Sequence, residues 1–255
     1  MARRRKSNRR RRRGSFGFLY KLLSTLAICA VVVAALTLFF RVDTIEVTGT
    51  ERYTAQEVID ASGVDTGDNL FLLNKYSVDQ DIRTALPYIE ELRINRHLPD
   101  TLVIQVQECG TPLAVVQEGS AWLVSPKGKI VGQEEASAAE NYGVIDGCEL
   151  LAPSVGTSLA LATEYASQQQ SLLDLMGALE AAGMMEQVDA IHLSDLAVLR
   201  MDYAGRFVVE LPYGADYAYK LRFLQATLDK GFIQDNQTGT IQLTRDDGEV
   251  NFIPS

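Results

Sequence analysis

The chain has 255 residues, 47% of them hydrophobic, and a net charge of −9. The charge is unevenly spread: residues 1–21 carry ten Lys and Arg and no acid, while 41–255 carry the other fourteen and all thirty-three Asp and Glu. So acidic a main body excludes a nucleic-acid-binding surface there, and about 210 residues can bury a core of their own, which excludes a disulfide-dependent scaffold.

The basic tail, residues 1–21, is followed by nineteen uncharged residues, 22–40. At about 1.5 Å per residue they span ~29 Å as a helix, close to a ~30 Å hydrocarbon core. Phe16, Phe18 and Tyr20 flank one end, and Phe39 and Phe40 the other, as interfacial aromatics do. The positive-inside rule places the N-terminus in the cytoplasm and residues beyond 40 outside. A cleaved signal peptide would have a shorter apolar stretch and a small-x-small site. Leu38-Phe39-Phe40-Arg41 is a poor one, so a retained anchor is expected. The arginine run serves topology and contact with anionic lipid.

From Val42 the expected elements follow in order. Val42–Val47 alternates as a half-buried strand ending at Thr48-Gly49. Thr54-Ala55-Gln56-Glu57 is a capping box that starts a helix, and Gly63 suits its end. Asp65–Asn69 is a polar turn; it lacks the alternating oxygens and distal Glu of a calcium loop. Ser77-Val78-Asp79-Gln80 reads as a second capping box, and Pro87 stops its helix. Tyr88–His97 and Thr101–Glu108 read as strands joined by a turn at Leu98-Pro99-Asp100. In the second, Leu102, Ile104 and Val106 share one face. The order for 42–110 is β-α-α-β-β, two helices packed on one face of a three-stranded sheet.

From 111 to 255 short strands dominate: Leu113–Gln117, Ala121–Ser125, Lys129–Val131, Tyr142–Ile145, Gln187–Leu193, Ala197–Tyr203 and Arg206–Leu211. Glu134, Glu135, Ser137 and Glu140 are expected in a solvated loop. Helices are expected over Thr163–Ala182 and from about Asp216 to Lys230. The end is predicted as a hairpin, Thr240–Thr244 and Glu249–Phe252, turning at Asp246-Asp247-Gly248. The fold class is therefore α+β: one N-terminal transmembrane helix, the β-α-α-β-β unit, then a mixed α/β domain with a largely antiparallel sheet.

No catalytic constellation emerges. His97 and His192 lack a His or Cys partner at metal spacing. Gly156-Thr157-Ser158-Leu159-Ala160 lacks the last glycine of a nucleophile elbow. Neither a Walker loop nor a dinucleotide fingerprint is present. Cofactor and metal are expected to be none. Cys109 and Cys148 lie beyond the span, and their pairing would need Cα atoms within about 7 Å.

The basic tail, the single span and the β-α-α-β-β order resemble the FtsQ/DivIB family of bacterial cell-division proteins, whose unit is of the polypeptide-transport-associated (POTRA) type. Several runs carry the likeness. Val42–Gly49 resembles the family's first strand. Gly67-Asp68-Asn69-Leu70-Phe71-Leu72-Leu73 resembles its G-x-N-L-F-x-L stretch. Arg96–Glu108 resembles R-x-x-P-x-T-L-x-I-x-V-x-E. Ala121–Gly128 is similar to the next hairpin, and Thr240 through Phe252 to the closing strands. Residues 133–170 match least. Gram-positive members often carry a disordered tail after the β domain; this sequence stops at Ser255, so a function of such a tail is not expected.

The resemblance implies a POTRA-type domain at 42–110 and an FtsQ/DivIB-type β domain at 111–255. It implies a non-enzymatic divisome scaffold at the division septum that binds FtsB/DivIC-like and FtsL-like single-pass partners and helps regulate septal peptidoglycan synthesis. A chaperone-like secretion module and a membrane-tethered cell-wall hydrolase are the alternatives; the hydrolase would need a catalytic set. The last strand is expected at a sheet edge, where a partner can add a strand. Carried over by position, Arg245, Gly248, Val250 and Phe252 would line that contact, with Phe252 as anchor. The alternative for Val250 and Phe252 is that they close the hydrophobic core.

Overall fold

The computed structural model describes residues 16–229, 233–234, 236–244 and 250–255. Helix α1, Phe16–Phe39, is apolar over most of its surface, and the described residues bury none of its span. Such a helix needs an apolar surrounding, and Gly17–Phe39 is long and apolar enough to cross a bilayer. It is compatible with a single-pass anchor.

Strand β1 (Thr44–Thr48), helices α2 (Ala55–Ser62) and α3 (Lys75–Ala85), and strands β2 (Ile89–His97) and β3 (Thr101–Glu108) follow. The sheet order is β1-β3-β2, with β1 parallel and β2 antiparallel to the central β3. Leu102, Ile104 and Val106 of β3 pack with Val58 of α2 and with Val78 and Ile82 of α3. The first capping box forms as expected: the Thr54 hydroxyl accepts from the Glu57 N–H, and the Glu57 carboxylate accepts from that of Thr54. Gly63 closes α2 at φ 62°, a conformation costly for other residues. The second box does not form. Asn74 caps α3 instead, its side chain accepting from the Tyr76 N–H at 3.1 Å. Asn is as strong a cap as Ser, and Ser77 falls inside the first turn, where its hydroxyl donates to Asp81. The Glu108 carboxylate accepts from the backbone N–H groups of Arg52 and Tyr53, so this motif residue fastens the loop before α2.

The second sheet comprises β4 (Leu113–Gln117), β5 (Ser120–Val124), β6 (Ile130–Glu135), β7 (Val144–Asp146), β8 (Val188–His192), β9 (Val198–Tyr203), β10 (Phe207–Pro212), β11 (Gly239–Gln242) and β12 (Asn251–Pro254). Their spatial order is β12-β11-β10-β9-β8-β7-β4-β5-β6. Among the described residues five pairings are antiparallel and three parallel. Helices α4 (Ala166–Ala181) and α5 (Tyr217–Asp229) supply Leu172, Leu175, Met176, Leu221 and Leu224 to the main core.

Residues 133–170 differ from expectation. Glu134 and Glu135 belong to β6, because β5 continues to pair through Ser120 and Ala121. Ala136–Asn141 forms a short 3-10 helix, and Leu150, Leu159 and Leu161 are buried. The expected turn at Asp246-Asp247-Gly248 lies outside the described residues. Cys109 and Cys148 are free thiols, packed in different hydrophobic clusters.

Candidate partner-binding edge

The nine-stranded sheet has two edges, and they are built differently. At β6 the start is occupied by a loop: the Ile130 N–H donates to the Thr157 carbonyl, and the Gly156 N–H to that of Ile130. Its end carries exposed Gln133, Glu134 and Glu135, and charge on an edge strand opposes further pairing. The β12 edge carries Asn251, Phe252, Ile253 and Pro254 with no charged side chain.

Strand β12 runs antiparallel to β11, with Asn251 opposite Gln242 and Pro254 opposite Gly239. Just beyond, the Ser255 N–H donates to the Thr238 carbonyl at 3.0 Å. Antiparallel ladders alternate hydrogen-bonded and non-hydrogen-bonded pairs. Counting from Ser255, Asn251 and Ile253 bond inward, and the N–H and C=O of Phe252 face away from β11, where no described strand pairs with them. The Gly239 N–H donates to Arg206 on the β10 side, as that phase requires. Pro254 presents a carbonyl outward but has no N–H.

Side chains alternate in step. Phe252 lies on the core side with Ile241, half-buried, its ring 6.3 Å from that of Phe207 at 78°. Val250, also half-buried, packs against the same core. Gly239 makes room for the strand: a Cβ there would stand 2.2 Å from the Ile253 carbonyl oxygen and 3.0 Å from the Phe252 ring. Ile253 points to the opposite, open face. There Asn251 donates to Gln242, Gln242 to Glu210, and Arg200 to Glu210, a polar ladder across β12, β11, β10 and β9. Of the four residues expected at the contact, Val250 and Phe252 lie here, and Arg245 and Gly248 are outside the described residues. Gly239, Asn251 and Ile253 were missed from sequence. Strict alternation from Phe252 could have found Asn251 and Ile253; the close approach at Gly239 has no sequence signal.

The remaining chemistry on this face is His192, with Asp146 at 2.8 Å on Nδ1 and Asp202 at 3.2 Å on Nε2. Burial pulls its pKa down, but hydrogen bonds to both carboxylates and their charges outweigh that and raise it above 6.5. Both ring nitrogens are engaged, so neither is left to activate a hydroxyl. Burial pushes the thiols of Cys109 and Cys148 up to about 11, with nearby carboxylates adding to the rise. That keeps them protonated at neutral pH and poor nucleophiles. Among the described residues no group of three or more His, Cys, Asp or Glu is arranged to hold a metal.

Comparison with known proteins adds the context. The family model described as "POTRA domain, FtsQ-type" matches residues 40–108. The Cell division protein FtsQ of Corynebacterium glutamicum is 26% identical over 167 residues, covering 65% of this chain and 72% of that protein. The FtsQ of Geotalea daltonii is 28% identical over 191 residues, 72% of this chain and 66% of its own. The Cell division protein DivIB of Clostridium botulinum is 28% identical over 153 residues, 59% and 56% respectively. The β-α-α-β-β unit behind a single apolar helix is thus a POTRA domain of the FtsQ type, and the chain as a whole is similar to the cell division proteins FtsQ and DivIB.

Proposed function

We propose that the chain is a non-enzymatic scaffold of the division machinery at the septum. In this reading α1 anchors it with the basic tail in the cytoplasm, and units at about 42–110 and 111–255 stand outside. The open edge of β12 takes up a strand from a small single-pass partner of the FtsB/DivIC type. An FtsL-type partner joins the same assembly, which helps regulate septal peptidoglycan synthesis. The observation that supports this most is the asymmetry of the two edges: β6 is charged and looped over, whereas β12 turns the N–H and C=O of Phe252 outward. Strand addition uses such groups for affinity and alternate side chains for selectivity. Val250 belongs to the same contact, as do Arg245 and Gly248 by their place in the sequence, and the Phe252 ring stiffens the platform from below.

Two variants test the edge. Phe252→Ala removes the ring and keeps the N–H, and is expected to weaken capture of the partner's outer segment about tenfold, ~1.4 kcal/mol. Phe252→Pro also removes the outward N–H, at an edge position where proline is tolerated, and is expected to weaken it further. Both are measured by titration against the partner segment, with circular dichroism to verify folding. Wild-type affinity in folded Phe252→Pro would rule out strand addition at this edge.

A further inference from the structure

Residues 42–110 expose four large apolar side chains: Phe71 at 51%, Leu72 at 78%, Tyr76 at 72% and Leu98 at 55%. All four belong to two segments tied to the foot of α1. In the first, the Asn69 carboxamide donates to the Thr37 carbonyl at 3.1 Å, one of the carbonyls the last helical turn leaves without a partner. Its oxygen accepts from the N–H groups of Phe71 at 3.0 Å and Leu72 at 3.3 Å. The Leu70 N–H donates to the Phe40 carbonyl at 2.9 Å, and the Phe71 ring meets that of Phe40 edge-on at 4.9 Å. In the second, the N–H groups of Asp43 and Thr44 both donate to the Asp100 carbonyl, which brings the Leu98-Pro99-Asp100 turn beside the same linker.

The helix sets the depth. If Lys21 marks the inner boundary, nineteen residues at 1.5 Å carry the chain about 29 Å, to the outer boundary of the core at Phe39 and Phe40. Phe71 touches Phe40, so it stands at that level. We propose that Phe71, Leu72 and Leu98, with Tyr76 at the rim, form an apolar foot seated in the outer interfacial layer of the bilayer. Lipid at the boundary of acyl chain and headgroup is the occupant. Along the segments that carry the foot, Arg41, Lys75 and Arg96, the last donating to the Leu73 carbonyl, are interspersed with Asp43, Asp65, Asp68 and Asp100, so the contact rests on apolar burial rather than on attraction to anionic headgroups. The proposal depends on the anchoring given above for α1. It adds that the first outer unit lies on the membrane in one orientation, held by the Asn69 bridge, and does not swing on a free linker.

The test uses the full chain in phosphatidylcholine vesicles, with Cys29, Cys109 and Cys148 replaced by alanine and one nitroxide on an introduced cysteine. The sites are Leu72→Cys, Leu98→Cys, Val32→Cys within the span, and Leu196→Cys as an exposed reference on the nine-stranded unit. Collision with oxygen, which partitions into lipid, is compared with collision with a water-soluble nickel chelate. Labels at 72 and 98 are expected to meet the chelate several-fold less often than the label at 196, with oxygen collisions retained. Chelate access equal to that at 196, with Val32 still shielded, would overturn the foot and leave the anchor standing. Shielding from both probes at 72 and 98 would overturn it in favour of contact with protein. Chelate access at Val32 would refute the anchor, and the foot with it.

Discussion

His192 sits between carboxylates from the strands on either side of its own, with Arg200 opposite it in the register. Its pKa is raised in the folded protein, so the stability it contributes is fully present below about 6.5, the unfolded value, and is lost as pH rises through the folded pKa. The site is partly open to water, which limits the contribution to ~0.2–1 kcal/mol. Urea unfolding between pH 5.5 and 8.5, set against the same series for His192→Gln, is expected to show the variant's deficit at acid pH shrinking towards alkaline pH. A pH-independent deficit would mean that the imidazole acts only by packing. The sequence showed His192 as a lone histidine because its partners are 46 and 10 residues away. Phe252 was more legible: its nearness to the chain end and the alternating pattern pointed to an edge strand. Whether its ring turns to the core depended on the register with Ile241, which no local pattern carries.

At the scale of elements, local rules worked where one signal acted alone. Thr54 and Glu57 marked α2 because the box closes within four residues, and the apolar stripes of α4 and α5 marked helices that meet the core. Competition between signals defeated the reading of α3. Asn74 and Ser77 are both good caps, and the helix took the earlier one. Asn74→Ala is therefore expected to cost about 1 kcal/mol, the usual loss of an N-cap, while Ser77→Ala, inside the first turn, stays within about 0.5 kcal/mol. Denaturant midpoints of the two variants decide the matter, and a larger loss at Ser77 would restore the later start. Glu134 and Glu135 misled for another reason. Charged residues normally signal a loop, but an edge strand accepts them and is protected by them.

The two sheets meet at the end of the first unit that lies away from the membrane foot. Strand β3 begins beside the linker at Thr101 and ends at Glu108, about 23 Å further on at ~3.3 Å per residue. There the Cys109 N–H donates to the Tyr88 carbonyl at 2.8 Å, and Tyr88 packs into a small cluster with Ala121, Leu123 and Val131. Lys129 crosses the joint, its ammonium donating to the carbonyls of Pro87 at 2.8 Å and Ile89 at 3.3 Å. Lys127 adds ion pairs with Glu90, whose side chain is buried, at 3.7 Å and with the exposed Glu91 at 3.2 Å; the latter is open enough to water to contribute little. Lys129 therefore holds two part-buried carbonyls of the first unit, and Lys129→Met keeps its stem while removing those bonds. The expected loss is ~1–3 kcal/mol, the scale of hydrogen bonds made by a charged donor, and it falls on the coupling between the units. Trp122, the single tryptophan, lies in β5 of the larger sheet, so its fluorescence follows that unit alone. In the parent chain the fluorescence and circular dichroism melts are expected to coincide. In Lys129→Met the circular dichroism signal is expected to fall first, because the three-stranded unit has the smaller core and loses its support. Coincident melts at an unchanged Tm would show that the joint does not rest on Lys129 and would shift its weight to Tyr88.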